Sequence, residues 1–298
     1  MGVVRMTAAM FEGFQSETIA TTGTSIAIRR KGSGPAVLLL HGHPQTHVMW
    51  HLVAPRLAEH YTVVCADLRG YGASGKPASD DTHAPYSKRV MAHDQIEMMA
   101  HLGFQRFAVV GHDRGGRTAY RMALDHPERV WALSVLDILP TSEHFARIDT
   151  QFALGYFHWF FLAQPFDLPE RMIAADPEKF YFERTKRLFT EEAYAQYVKS
   201  ARDPETIHAM CEDYRAAAGI DRRLDEADKV EGARIQCPTQ VLWGKKNLLE
   251  RCYDVLAVWR EWAVAVEGQA LDCGHYLAEE APDATYAAVK DFLDRHKP

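Results

Sequence analysis

Basic runs are missing from this sequence. No stretch of lysines and arginines has a useful length, and the formal net charge is -6. Both facts disfavour a nucleic-acid partner, because phosphate backbones are held by a clustered basic patch. An anionic ligand would have to be attracted by a local basic site, since the global field repels it. Cysteine is sparse. Cys65, Cys211, Cys237, Cys252 and Cys273 are scattered, odd in number and form no Cys-x-x-Cys pair. That usage points to a reduced, cytoplasmic compartment. No apolar run approaches membrane-spanning length and the N-terminus has no signal-like apolar segment, so no membrane partner is expected. Met6 stands where an acylation motif wants Ser or Thr, so lipidation is not expected either. Repeats and low-complexity segments are also absent.

What is present is ordinary for a globular enzyme: 298 residues, 47% hydrophobic and 25% charged, enough chain to bury a full core. Residues 1–14 read as a loosely held tail. An alternating strand is expected over Thr24 to Arg30, then continuously apolar, doubly covered strands at Ala36 to Leu40 and Tyr61 to Ala66. A helix is expected from about Val48 to Glu59 and another from Ser87 to Leu102. Strands follow at Phe107 to Val110 and Val130 to Leu136. This alternation gives an α/β class with a mostly parallel central sheet and helices on both faces. After Pro140 the texture changes to aromatic-rich helix without a convincing strand, and the α/β pattern returns at Pro238 to Trp243. It closes with a helix near Tyr253 to Trp262, a strand near Ala263 to Ala270 and a helix from Pro282 to His296. Residues 1–140 and 219–298 therefore form the expected core, and 141–218 an inserted helical cap.

The chemistry centres on Gly111-His112-Asp113-Arg114-Gly115-Gly116-Arg117. A strand ends there and a helix begins, with glycines on both sides of Asp113. That is the pattern of a nucleophile elbow with Asp in the place where Ser is more common; an ordinary helix N-cap has the same local signature. His275, in Asp272-Cys273-Gly274-His275-Tyr276, lies just after the last strand, at the sheet edge where such folds bind ligands. Asp137, at the end of the strand after the elbow, can orient it, with Glu250 in reserve. The order nucleophile, acid, histidine is that of α/β-hydrolases. His43 in His41-Gly42-His43-Pro44 and Arg114 can supply backbone N–H groups to an oxyanion hole. No Asp, Glu or Cys follows His41, His43, His47 and His51 with metal-ligand spacing, so no metal is expected.

An Asp nucleophile suits displacement at a saturated carbon. A serine would end as an ether that the site could not hydrolyse. An aspartate ends as an ester whose carbonyl carbon water can attack, with histidine as base. Halides and epoxides are the substrates of that kind. Arg114 and Arg117 lie three apart in the first helical turn, where the helix dipole disfavours cations. A substrate carboxylate would compensate.

The sequence resembles the haloacetate (fluoroacetate) dehalogenases of the α/β-hydrolase superfamily over most of its length. The resemblance is carried by His41-Gly42-His43-Pro44-Gln45-Thr46-His47, the Gly111 to Arg117 run, Leu136-Asp137-Ile138-Leu139-Pro140-Thr141, Tyr156-Phe157-His158-Trp159, Cys211-Glu212-Asp213-Tyr214-Arg215-Ala216-Ala217-Ala218 and Gly274-His275. It implies Asp113 as nucleophile, His275 as base, Asp137 as its orienter, and Arg114 and Arg117 as carboxylate ligands. His158, Trp159 and Tyr214 would hold the departing halide, a role that neutral donors in an apolar lid can fill. It further implies a haloacid and water as reactants, no cofactor, and a homodimer. Many relatives have Phe where this chain has His43, and Lys245 to Arg251 departs from the family pattern. Related epoxide hydrolases share the Asp/His logic but usually carry Trp after the Asp and use two lid tyrosines. Tyr156, Tyr181 and Tyr194 are available beside Tyr214.

Overall fold

A computed structural model describes residues 10–298. Among the described residues eight strands form one sheet: β1 (Gln15–Ala20), β2 (Ser25–Lys31), β3 (Ala36–Leu40), β4 (Thr62–Ala66), β5 (Phe107–His112), β6 (Val130–Leu136), β7 (Thr239–Gly244) and β8 (Val266–Leu271). Their spatial order is β1-β2-β4-β3-β5-β6-β7-β8. β1–β2 and β2–β4 pair antiparallel and every other pair is parallel.

The continuous apolar strands follow from burial on both faces. Successive side chains of a strand point to opposite sides. Leu38 and Leu40 of β3 join one core cluster, with Val64 and Val109; Val37 and Leu39 join the other, with Val63 and Val110. The helix Asp113–Asp125 and the helix Lys88–His101 cover the first face. The closing helix Pro282–His296 covers the second through Val289, Phe292 and Leu293.

Two expectations need correction, and one strand is additional to those expected. The tail reading covered residues 1–14, of which 1–9 lie outside the described residues. Phe11 and Phe14 are buried in the second core cluster, beside Trp50 and Tyr61. β1 went unread because Gln-Ser-Glu-Thr-Ile-Ala is polar; only Ile19 is buried, as befits an edge strand. The helix expected over 48–59 is broken into a 3₁₀ turn, His47–Trp50, and a short helix, Ala54–Leu57. Pro55 has no N–H to continue a helical ladder, and it sits in the first turn of the second piece, where none is required.

Between β6 and β7 the described residues are helix and loop apart from an isolated bridge at Ile235, and the helices run from Thr141–Phe145 through Phe157–Leu162 and Pro204–Ala216 to Arg222–Glu231. Trp159, Leu162, Ile173, Ile207, Cys211 and Tyr214 form a separate small core there. This helical layer brings Tyr156, His158, Tyr181 and Tyr214 over the carboxyl ends of β3 and β5. Among the described residues, no helix is long and apolar enough to cross a membrane.

Candidate active site

Asp113 is the first residue of its helix and has φ +45°, in the left-handed region that L side chains rarely adopt. The turn is possible because its neighbours are glycines. A Cβ on Gly115 would stand 2.3 Å from the His41 carbonyl oxygen, and one on Gly111 would stand 2.5 Å from the Gly115 oxygen. The helix therefore packs directly on the strand ends, which lifts Asp113 above the sheet. The N-cap alternative does not describe this residue, since the N-cap position belongs to His112.

The carboxylate is held by the loop after β3. The His43 backbone N–H donates to Asp113 Oδ1 at 2.9 Å. Of the two backbone donors expected at this point, His43 is the one that makes the contact here. Burial by itself would raise the Asp113 pKa. His275, His112, Arg114 and Arg117 outweigh it and hold the group well below the usual carboxylate range.

His275 follows β8 in a short loop. Glu280 braces that loop by accepting the Gly274 and Tyr276 backbone N–H groups, each at 2.9 Å. Nδ1 of His275 lies 2.5 Å from Asp137 Oδ2. Burial pulls the His275 pKa down, but the hydrogen bond and charge of Asp137 more than offset this and leave it raised above 6.5. Asp137 itself sits at φ +55° just past β6. Its Oδ1 accepts the Gly244 N–H at 2.9 Å, and its Oδ2 also accepts from Asn247 Nδ2. Glu250, the reserve acid, is elsewhere: it accepts the Trp243 indole N–H.

Asn247 is not among the expected site residues; it lies in Lys245 to Arg251, the segment that departs from the family pattern. His112 and Asp213 were also missed. His112 Nε2 lies 2.8 Å from the His275 carbonyl oxygen, which ties the elbow strand to the histidine loop.

The two arginines are buried, and their surroundings differ. Arg114 directs Nε to Asp213 Oδ2 at 3.1 Å and Nη2 to the Asp213 carbonyl oxygen at 2.9 Å, and it also reaches Oδ1. Asp213 in turn binds Lys88 Nζ and the Tyr71 hydroxyl. Arg117 Nη1 donates to the Leu139 carbonyl at 2.7 Å and to Thr141 Oγ1 at 3.3 Å, and no carboxylate among the described residues pairs with it. Arg114 Nη1 and Arg117 Nε are sealed from solvent without an acceptor. Arg117 lies over the Trp159 ring at 4.5 Å and Arg114 over the Tyr214 ring at 4.4 Å.

A cavity of about 320 Å³ opens on Asp113 and His275, and its walls include His43, His158, Tyr181 and Tyr214. Trp159 is not in its wall; it is buried between Arg117 and Tyr214, 6.0 Å from the latter ring. Tyr156 and Tyr181 also face the cavity, whereas the Tyr194 hydroxyl is engaged by Glu178 at 2.6 Å. The four early histidines do not converge on the cavity: His41 and His47 both lie against Asp67, at 3.9 and 2.8 Å. His41 Nε2 accepts the Leu68 N–H, His47 pairs with Asp67 and His51 Nδ1 bonds to the Val48 carbonyl, which leaves His43 alone in the site. A larger surface cavity of about 830 Å³ is lined by Arg69, His93, Asp94 and His126. Its buried Arg69–Asp94 pair is internally matched and it contains no placed nucleophile, so the smaller cavity is the candidate site.

The model of the alpha/beta hydrolase fold family matches residues 35–282. A fluoroacetate dehalogenase from Burkholderia sp. is 46% identical over 291 residues, 95% of each chain. The chain belongs to the α/β-hydrolase fold family, among the haloacetate dehalogenases. This hydrolase is also 33% identical to a soluble epoxide hydrolase from Corynebacterium sp. (strain C12), over 84% of its own length and 87% of the relative's. A solved structure from Nostoc sp. PCC 7120, described as an alpha/beta hydrolase, is 52% identical. The match covers 95% of this chain and 99% of that one, with a TM-score of 0.93.

Proposed function

We propose that the chain hydrolyses haloacetates such as fluoroacetate and chloroacetate to glycolate and halide, through an ester on Asp113. The observation that carries this reading is the pair of buried guanidinium groups beside an elbow aspartate, each with a donor left without an acceptor. Stranded buried donors cost free energy, and a small substrate carboxylate that reached past the cavity lining, which includes neither arginine, would satisfy both. An uncharged epoxide would leave them stranded. The Burkholderia relative's name agrees with this choice.

In the first step Asp113 Oδ2 attacks the halogen-bearing carbon from behind, and the carbon–halogen electron pair leaves with the halide. Oδ1, already on the His43 N–H, becomes the ester carbonyl oxygen. Of the three residues expected to hold the halide, His158 and Tyr214 line the cavity and receive it on the far side, whereas Trp159 stands behind Tyr214 outside the wall. Asp137 keeps the Nδ1 proton of His275 in place, so Nε2 is the basic nitrogen. It takes a proton from water, which attacks the ester carbon. Charge then builds on Oδ1, where the His43 N–H, joined by that of Arg114, stabilises it. Collapse releases glycolate, and the His275 proton goes to the leaving oxygen.

A single turnover in ¹⁸O-labelled water tests the pathway. The label should enter the Asp113 carboxylate and be absent from the first glycolate formed. Label appearing directly in glycolate would rule out the ester.

A second reading, epoxide hydrolysis, has one specific support: Tyr156, Tyr181 and Tyr214 all face the cavity, and the Tyr181 hydroxyl is buried without a partner. Phenols of that kind can protonate an epoxide oxygen. Parallel assays of halide release from chloroacetate and diol formation from styrene oxide separate the two, with halide release the expected activity.

A further inference from the structure

His43 has a backbone role beside Asp113, yet its side chain belongs to a different part of the site. The imidazole lies 5.1 Å from the Tyr214 ring, 5.1 Å from the Tyr181 ring and 6.5 Å from the His158 ring, which it faces in parallel at 6°. The residue thus runs from the carboxylate of Asp113 to the rings of the helical layer, and it lines the cavity between them. Backside displacement requires the attacking oxygen, the carbon and the leaving group to be in line. The leaving group therefore departs from Asp113 toward those same rings.

The ring's tautomer can be argued from its surroundings. His43 is 8% exposed, and its Nδ1 is sealed from solvent without a hydrogen-bond partner. A buried N–H without an acceptor is rarer than a buried lone pair without a donor. The proton therefore belongs on Nε2, the ring nitrogen that is not sealed. The ring is also neutral, because burial and the nearby His158 push its pKa down to about 3.

We infer that His43 Nε2–H is a further hydrogen-bond donor to the departing halide, and that it selects for fluoride as leaving group. The inference rests on the haloacetate reading above. Fluoride is the smallest halide, the strongest hydrogen-bond acceptor and the poorest leaving group, so its departure depends most on donors. Bromide leaves with little help. In the step, the carbon–fluorine pair passes to fluoride as the Asp113 oxygen–carbon bond forms, and the imidazole proton stays on nitrogen.

The test compares fluoroacetate, chloroacetate and bromoacetate as substrates of the wild type, His43→Phe and His43→Gln, with electrode readout of each halide. Phe keeps a planar ring and the backbone N–H but has no donor. His43→Phe should lower kcat for fluoroacetate by about 10- to 100-fold more than for bromoacetate, the range for losing a hydrogen bond to a charged group. His43→Gln, which restores a neutral N–H donor, should recover part of that difference. Equal losses for all three halides, or none, would overturn the inference. Should the variants fail to fold, imidazole ¹⁵N spectra of the wild type carry the test. A neutral His43 protonated at Nε2 whose signal moves on adding sodium fluoride supports it, and an Nδ1–H tautomer or an unmoved signal overturns it. A wild type that releases no halide from any of the three would remove the haloacetate reading itself, whereas a flat halide ratio removes only the role of His43.

Discussion

The His43 backbone N–H donates to Asp113 Oδ1 at 2.9 Å. The two oxygens of the carboxylate are thereby distinguished. One is held where an ester carbonyl oxygen would lie, and the other is left to attack. Asp113→Ala removes the attacking atom, so halide release from chloroacetate should fall by at least about 10³-fold, the scale at which covalent machinery is lost. Asp113→Asn keeps the shape of the side chain but not its charge and should be equally inactive. Release near the wild-type rate from either variant would exclude Asp113 as nucleophile.

Asp137 contacts His275, Asn247 and the Gly244 N–H together, so its removal should act on the second half of the reaction. Asp137→Asn should leave the burst of halide from one enzyme equivalent and slow the later turnovers, with the Asp113 ester accumulating. Intact-protein mass spectrometry would show the added carboxymethyl group. Asn247→Ala removes one hydrogen bond to the same carboxylate and should slow turnover about 5- to 10-fold, in keeping with ~1 kcal/mol for one such bond. An Asp137→Asn enzyme that turns over at the wild-type rate without ester would shift the orienting role elsewhere.

The pH profile has a predictable sign. His275 must be neutral to take a proton from water, and its pKa is raised above 6.5 by Asp137, after burial has pulled the other way. Turnover should therefore fall as pH drops through this raised pKa, about tenfold per unit below it. Asp113 stays ionised over the same window because its pKa is depressed, and so adds no acidic limb above pH 4. His158 stays neutral too, since burial lowers its pKa to about 4. A kcat profile from pH 5 to 9 checks this; an acidic limb centred below 6 would contradict the assignment of His275 as base.

The two arginines should respond differently to truncation. Among the described residues no carboxylate pairs with Arg117, so Arg117→Ala should raise KM for chloroacetate about 10- to 100-fold with the fold retained. Arg114→Ala should raise KM as well, but it also strands the buried Asp213 carboxylate. Removing one partner of a buried ion pair costs about 3–5 kcal/mol, so this variant should also melt markedly lower. Thermal melts beside KM measurements separate the effects. Equal melting temperatures would mean that the Arg114–Asp213 pair contributes little.

Much of the molecule was legible from local pattern. β3, β5 and β6 announce themselves as short, unbroken apolar runs, because a strand covered on both faces has no polar side to show. The elbow was legible because a backbone forced to approach within 2.3 Å of a would-be Cβ admits only glycine, and glycine spacing is visible in a sequence. β1 was not, since an edge strand that buries only Ile19 leaves no period to read.

By itself, the sequence determined the elbow, the order of Asp113, Asp137 and His275, and the presence of two cations beside the nucleophile. These depend on local steric and chemical requirements that residue types express directly. Only the tertiary structure decided which oxygen of Asp113 is held, that Asn247 stands beside Asp137 while Glu250 binds Trp243, and that Asp213 pairs with Arg114 and not with Arg117. Most of those are contacts between segments distant in the chain, such as the 99 positions from Arg114 to Asp213. Burial and hydrogen-bond geometry select them, and no local pattern encodes either.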